Sequence, residues 1–421
     1  MPALPACLVL MLALTGLAAA GTPTSIDALV QRALEANAEL RFTEAEVAAA
    51  RGQRTQAGLW QNPELSGDYG ERRVRDAGGA LAEDGFTRGA SLTQTFEFPG
   101  KGSLRKALAH KDVELAQLGL EQFRRTLAGQ VRRLALTYVT TAANARAAEE
   151  TAERGTALTR LLKDRPAAGT QALLEMRVIE GSLLELQKAA QEAVLARDEA
   201  RIALNTLLGW PASQPLNLAE TPGLPPDALP PLDVLVLRGL SNNLQLKART
   251  LELEKAARAV TAAKLDIAPD FSIGPFFSQE RAGEDETGYG VTLSTTLPLW
   301  NWNQGNIATA QARRVQADAL LLDARRKVEA EIARRHRAHQ VHLRLAQQIP
   351  AETVEALREA ADLADRNYRT GAIALPLYLE VQREAINARR LRGEALLAAW
   401  ESWLDLQLLT GGWETNPKEH P

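Results

Sequence analysis

Three of the five histidines fall within seven residues, His336, His339 and His342 in "HRAHQVH". Imidazole is the commonest metal ligand among side chains, so this is where residue type and spacing suggest metal chemistry. On a helix, three-residue steps fan the rings across about 120° of one side, close enough for neighbours to share a cation. A catalytic zinc site would add a glutamate in HExxH spacing, and none is present. The expectation is therefore no resident metal: solvated residues on a helical wall, with weak transient contacts to passing cations as the lesser alternative. His110 and His420 stand alone. Walker loops, the GxSxG elbow and GxGxxG after a strand are absent too, which leaves an enzyme without its usual machinery.

With no catalytic set to explain, the arrangement of elements must carry the function. The 421 residues hold 49 basic and 52 acidic side chains, a formal charge of −3, so there is no basic stripe for DNA or RNA. Residues 1–20, "MPALPACLVLMLALTGLAAA", read as a signal peptide with cleavage near Ala20. Cys7, the only cysteine, precedes the apolar run, so lipidation is not expected and the mature chain has no thiol for disulfides or metals. Beyond residue 20 no stretch of about 18 apolar residues exists, which excludes a helical membrane span.

The sequence repeats itself. "NAEL" at 37 matches "NLQL" at 243 and "NPEL" at 62 matches "APDF" at 268, each 206 residues apart. "GASLTQTF" at 89 matches "GVTLSTTL" at 290, and Gly169 and Gly209 match Gly371 and Gly411 at 201 to 202 residues. The expected organisation is two copies, 21–209 and 232–421, joined by a connector at 210–231 that holds seven prolines. Each copy reads as a helix, two strands, a long helix and a return helix. The strands are expected at about 63–73, 87–98, 270–279 and 289–299, the long helices at 101–165 and 305–370, and the return helices at 170–208 and 372–410. An unbroken 101–165 helix would span about 95 Å. Pro350 interrupts the second rod, so a kink or break is expected there.

The second rod carries two apolar stripes. Ala308, Ala312, Val315, Ala319 and Leu322 point one way, and Ala310, Ala317, Leu321, Ala324 and Val328 the other. Polar residues such as Gln311, Asp318, Gln316 and Asp323 occupy the flanks. Such a helix has a neighbour on each side and water on the remaining faces, as a staff in the wall of a hollow cylinder does; a helix sandwiched in a solid bundle is the alternative. The strands alternate an apolar and a small polar face. Val291, Leu293, Thr295, Leu297 and Leu299 oppose Thr292, Ser294, Thr296 and Pro298, the pattern of an outer-membrane barrel. Trp60, Trp300 and Trp302 stand at strand ends, where an interfacial girdle would be. Four strands cannot close a barrel, and open edges in lipid leave backbone groups unpaired, so several chains must share one. Three would give twelve strands and six rods.

On "LPLWNWNQGNIATAQA" at 297–312, "NYRTGAIALPLYLEVQ" at 367–382 and the duplication itself, the chain resembles the TolC-like outer-membrane factors, nearest their heavy-metal efflux branch. The resemblance spans nearly the whole mature chain, although the first copy lacks a tyrosine before Gly169 and carries Pro166. It implies a mainly α fold with a small β part: a tandem-repeat long-helix α-barrel protomer plus four strands contributed to a shared transmembrane β-barrel. It also implies a homotrimer in outer-membrane lipid with most helical mass in the periplasm, working with a periplasmic adaptor (membrane fusion protein) and an inner-membrane proton-driven pump of the resistance-nodulation-division type. Ala168, Gly169, Thr170, Arg369, Thr370, Gly371 and Ala372 match the adaptor-docking tips. Asp362, Asp365 and Glu380 serve surface solubility on the preferred reading; the alternative is acidic rings around a threefold axis, favouring cations. The expected function is a passive exit duct with no catalysis and no cofactor, most simply for heavy-metal cations. Drug efflux, type I protein secretion, a poreless periplasmic coiled coil and a metal enzyme built on the histidines are the alternatives.

Overall fold

The computed structural model describes residues 24–163, 170–218, 223–227 and 229–412. The proposed signal peptide, Pro166, Ala168 and Gly169 lie outside them, as do the side chain of Thr170 and His420. The first copy contains α1 (Ile26–Ala36), α2 (Ala38–Ala57), β1 (Glu64–Arg75), β2 (Leu81–Phe96), α3 (Lys101–Lys163) and α4 (Thr170–Leu208). The second contains α5 (Leu232–Asn242), α6 (Leu244–Leu265), β3 (Phe271–Ala282), β4 (Glu284–Thr295), α7 (Gln304–Gln348), α8 (Ala351–Arg369) and α9 (Leu375–Thr410).

The opening helix of each copy is two helices rather than one. Asn37 leaves helical geometry and its side chain accepts from the amides of Glu39 and Leu40, capping α2; Asn243 does the same for α6 through Leu246. An asparagine oxygen competes well for the orphan amides of a first turn, so it starts a new helix inside an alanine-rich run. Backbone sign repeats as well. Left-handed residues precede both rods at Gly100 and Asn303, follow both return helices at Gly209 and Gly411, and sit in both hairpin turns at Gly79 and Gly283.

The 63-residue α3 is unbroken, but the expected helix 305–370 is α7 and α8, parted at Ile349 and Pro350. Pro350 has no amide to donate and pushes the preceding residue out of helical geometry, which Ile349 shows at φ −115° and ψ 74°.

The four strands form one antiparallel sheet in the order β1-β2-β3-β4. Both hairpins run further than expected at the turn end. β2 begins at Leu81, and only Gly283 separates β3 from β4, because Ala282 pairs with Glu284. The expected 289–299 strand stops at Thr295, leaving Leu297 and Leu299 past its end. In the β1 turn, Asp76 Oδ1 accepts from the amides of Gly78 and Ala80, both at 2.9 Å.

The chain divides into two compact units. The first holds α1, α3 from Val131, α4, α8 and α9 as far as Gly393. Its packing is alanine-rich, with Ala148, Ala152 and Ala190 in one cluster and Leu158, Ile179, Ala364, Leu375 and Tyr378 in another. The second unit holds α2, α3 up to Gln130, the sheet, α5, α6, α7 and α9 from Glu394. Its main cluster is Leu235, Leu246, Ala324, Val328, Ile332 and Leu406. Of the two stripes on α7, one is therefore packed within the chain. The other is bare, with Val315 69% and Leu322 52% exposed.

Candidate functional site

The sheet is a candidate membrane surface because pairing aligns its residue types by face. On one face, cross-strand pairs set Leu65 beside Leu92, Ile273 beside Leu293, Phe277 beside Tyr289, and Phe96 beside Phe271, whose rings stack at 5.4 Å. On the other, Ser66 meets Ser91 at 2.7 Å, Thr95 meets Ser272 at 2.9 Å, and Gly274 pairs with Thr292. The apolar face is uncovered, Leu293 being 70% and Val291 66% exposed. Toward the turns the pairs become ionic, with Arg281 3.3 Å from Asp285 and Arg72 joined to Glu280. An apolar band thus ends in a charged rim, as for strands that cross lipid and emerge into water. Trp60, Trp300 and Trp302 lie off the strands at the opposite, helix-bearing end, all exposed, with Trp60 edge-on to Phe96 at 5.7 Å. Among the described residues no helix is long and apolar enough to cross a membrane.

The second-copy tip is built by helix-capping chemistry. After Arg369, Gly371 adopts φ 78°, its amide bonds Tyr368 O at 3.0 Å, and the Ala372 amide bonds Asn367 O at 2.8 Å. This paired closure needs a left-handed residue, which glycine supplies without a Cβ clash. Thr370 donates its hydroxyl to Asn367 O at 2.9 Å, and Ala372 is exposed. Behind the turn Tyr368 stacks on Tyr378 at 5.1 Å. Burial, followed by the nearby Asp365 charge, pushes the Tyr378 hydroxyl up to about 12, so it stays protonated. A groove of about 660 Å³ opens beside the tip, lined by Leu158, Leu161, Leu174, Val178, Ile373 and Leu375 among others. Gly371→Val is expected to cost about 1–3 kcal/mol by forcing a β-branched residue into the left-handed region. Thermal unfolding followed by circular dichroism checks it, with Gly52→Ala in α2, where an added Cβ meets nothing, as the opposite comparison, expected to stabilise by about 0.5–1 kcal/mol.

The three acids differ. Asp362 accepts from Arg154 and from Arg358, the latter at 3.2 Å, and Asp365 is held by Arg369 Nε at 2.9 Å. Glu380 is exposed and makes no ion pair among the described residues. Two of the three charges are thus already balanced within the protomer.

The histidines are not a set of solvated wall residues. His339 is fully buried between α7 and the end of α9, its Nδ1 3.2 Å from both Ala399 O and Ser402 Oγ. Burial holds its pKa below the usual imidazole value despite the Ala399 bond. His342 is half-buried, with Nδ1 3.0 Å from Ala398 O, and His336 is half-buried as well. The described residues contain no group of three His, Cys, Asp or Glu able to hold a metal. The signal that finds His339 is the buried row Leu321, Ala324, Val328 and Ile332, which continues at seven residues to His339 and on to Leu343 and Ala346.

Long helices, one of them with a packed and a bare apolar stripe, and an open sheet with one bare apolar face are the elements of an outer-membrane channel protomer. A family profile described as outer membrane efflux protein matches residues 29–210 and 235–412, and the chain belongs to that family. It resides in the outer membrane, and its class is efflux rather than enzymatic. It is 26% identical over 424 residues to the pyoverdine export outer membrane protein OpmQ of Pseudomonas aeruginosa, covering 94% of this chain and 87% of the relative. It is 29% identical over 339 residues to the nickel-cobalt-cadmium resistance protein NccC of Alcaligenes xylosoxydans xylosoxydans, covering 79% and 74%. Among solved structures, the CmeC outer membrane channel of Campylobacter jejuni shares the fold with a TM-score of 0.72 at 16% identity, over 93% of this chain and 87% of that one.

Proposed function

We propose that three copies of the chain close one β-barrel and one helical duct, a passive exit for heavy-metal cations driven by an inner-membrane pump of the resistance-nodulation-division type. The observation that carries this reading is the sheet. It is apolar on one exposed face, polar on the other, and open along β1 and β4. Each unpaired backbone group in hydrocarbon costs several kcal/mol, and strands from sister copies remove that cost. The bare α7 stripe with Val315 and Leu322 supports a second helix packing there from another copy. A periplasmic adaptor docks at the tips, Ala168–Thr170 and Arg369–Ala372, and the apolar groove beside Arg369 and Gly371 gives it purchase. Of the acids, Glu380 retains a charge able to attract cations electrostatically.

The cargo assignment draws on the metal-resistance relative. A second reading, export of an organic chelator, is favoured by the pyoverdine relative, whose match spans more of the chain. Deleting the gene is expected to lower tolerance of nickel, cobalt, zinc or cadmium, scored as growth inhibition. Unchanged tolerance together with lost siderophore secretion would replace the metal reading with the second. Purified protein in planar bilayers is expected to conduct ions, and absence of conductance would favour a poreless coiled coil instead.

A further inference from the structure

Asp270, just ahead of β3, clasps the neighbouring strand-to-helix junction. Its Oδ1 accepts from the Phe98 amide at 2.8 Å and from Lys101 Nζ at 2.9 Å, so β3 is pinned to the end of β2 and the start of α3. This contact joins the first copy of the repeat to the second. The duplication supplies a counterpart for every part of it, and those counterparts lie on the two open edges of the sheet.

Backbone landmarks fix the equivalence. Asn37 and Asn243 cap equivalent helices and Pro63 and Pro269 precede equivalent strands, 206 residues apart; Gly100 and Asn303, both left-handed, precede equivalent rods 203 apart. Strand pairing tests these offsets independently. Paired residue numbers total 157 in the first hairpin (Glu64 with Thr93) and 566 in the second (Phe271 with Thr295), and the difference of 409 is 206 plus 203, so β2 and β4 correspond in the sheet at 203 rather than at the 201 by which their letters match. Asp270 therefore corresponds to Glu64, Phe98 to Asn301 and Lys101 to Gln304. Within the protomer Glu64 and Asn301 are exposed residues, and the Glu64 carboxylate and the Asn301 backbone N–H make no hydrogen bond among the described residues, the Asn301 side chain being turned to the Asn303 amide at 3.0 Å. Gln304 turns its Oε1 to the Trp302 amide at 2.9 Å, which leaves its Nε2 as a donor.

We infer that Glu64 of one copy clasps the Asn301 amide and Gln304 Nε2 of a second copy, setting the register of a β4-to-β1 seam that repeats the chain's own β2-to-β3 seam. In that inner seam paired numbers total 367, with Phe271 opposite Phe96. Shifting by the two offsets gives a total of 364 for the outer seam, which sets Leu65 opposite Leu299 and Tyr69 opposite Thr295. The pleat agrees, because Leu65 and Leu299 then share the apolar face. It also explains why β4 ends at Thr295 in a single chain: residues 296–299 have no partner strand until a second copy arrives. The outer clasp exchanges an ammonium for an amide, so it is the weaker of the two.

The inference rests on the proposed multi-copy barrel, and the experiment separates the two. Leu65→Cys is combined in turn with Leu299→Cys, Leu297→Cys and Thr295→Cys in full-length protein in outer membranes, oxidised with copper phenanthroline and run on non-reducing gels. The Leu65/Leu299 pair is expected to give covalent dimers and trimers, at least several-fold faster than the other two. Faster linking at 297 or 295, or none at any position in protein whose detergent-corrected mass is trimeric, would overturn the register while sparing the barrel; a monomeric mass would overturn both. Gln304→Lys, which copies the inner clasp, is expected to raise the temperature at which the trimer dissociates in SDS, and Glu64→Gln to abolish the gain. A gain that survives Glu64→Gln, or no gain, counts against the clasp.

Discussion

Leu293→Arg is expected to prevent stable insertion into the outer membrane. Leu293 stands on the bare apolar face of the sheet, paired with Ile273 and 70% exposed. A guanidinium facing hydrocarbon near the middle of a bilayer costs about 2–4 kcal/mol per barrel position. Three copies of one barrel would each carry the substitution, for a total of roughly 6–12 kcal/mol, comparable to the whole stability of an ordinary domain. The neighbouring Ser294→Arg reverses only the face, because Ser294 pairs with Ser272 among small polar residues. It is expected to insert normally and alter single-channel conductance. Fractionation of outer membranes reads both, and Leu293→Arg recovered there at the wild-type level would mean that this face does not meet lipid.

The contrast between those two serine and leucine positions was legible in the sequence, since alternation is the one signal a half-immersed strand must carry. The same signal fell silent where the strands leave lipid. Residues 280–288 hold Glu280, Arg281, Glu284, Asp285 and Glu286 on both faces, so the second hairpin reads as a loop although it is fully paired. There, cross-strand ion pairs and backbone hydrogen bonds hold the ladder, and neither depends on apolar periodicity. At the other end the error ran in the opposite direction. Leu297 and Leu299 continue the alternation past Thr295, but a strand needs a neighbour as well as a pattern. Proline was a dependable guide at Pro350, since its effect on the helix is local. Asn37 and Asn243 were visible as matching anchors, but their role as caps was not. The helices on either side of each are apolar enough to look continuous, and a single side-chain oxygen decides the break. The ion pairing of the acids near the tip is hidden for a related reason. Charge type is written in the sequence, but whether Arg154 and Arg369 already neutralise Asp362 and Asp365 depends on which helices meet and in which rotamers.

The second unit is expected to be acid-sensitive through His339. Its ring is fully buried, its Nε2 has no hydrogen-bond partner among the described residues, and burial together with the fields of His336 and His342 favours the neutral form; the Ala399 carbonyl and Asp227 oppose the shift and lose. Around it, α7 also carries Arg335, which is paired with Glu331 and with Asp405 of α9, while Asp227, bonded by Gln347 at 3.4 Å, is the carboxylate whose field opposes the shift. A group whose folded pKa is depressed contributes stability that is complete above its unfolded value, about 6.5 for imidazole, and is lost as pH falls through the folded value. The detergent-solubilised protein is therefore expected to lose thermal stability as pH drops below about 6.5. His339→Leu is expected to flatten that dependence while costing little at neutral pH, since it removes a buried, half-satisfied polar group. His339→Asp, which buries a charge with no partner, is expected to cost about 3–5 kcal/mol at neutral pH. Melting curves of the three proteins between neutral and mildly acidic pH decide the matter. Parallel loss of stability in wild type and His339→Leu would assign the acid sensitivity to the surface carboxylate pairs and leave His339 a packing residue.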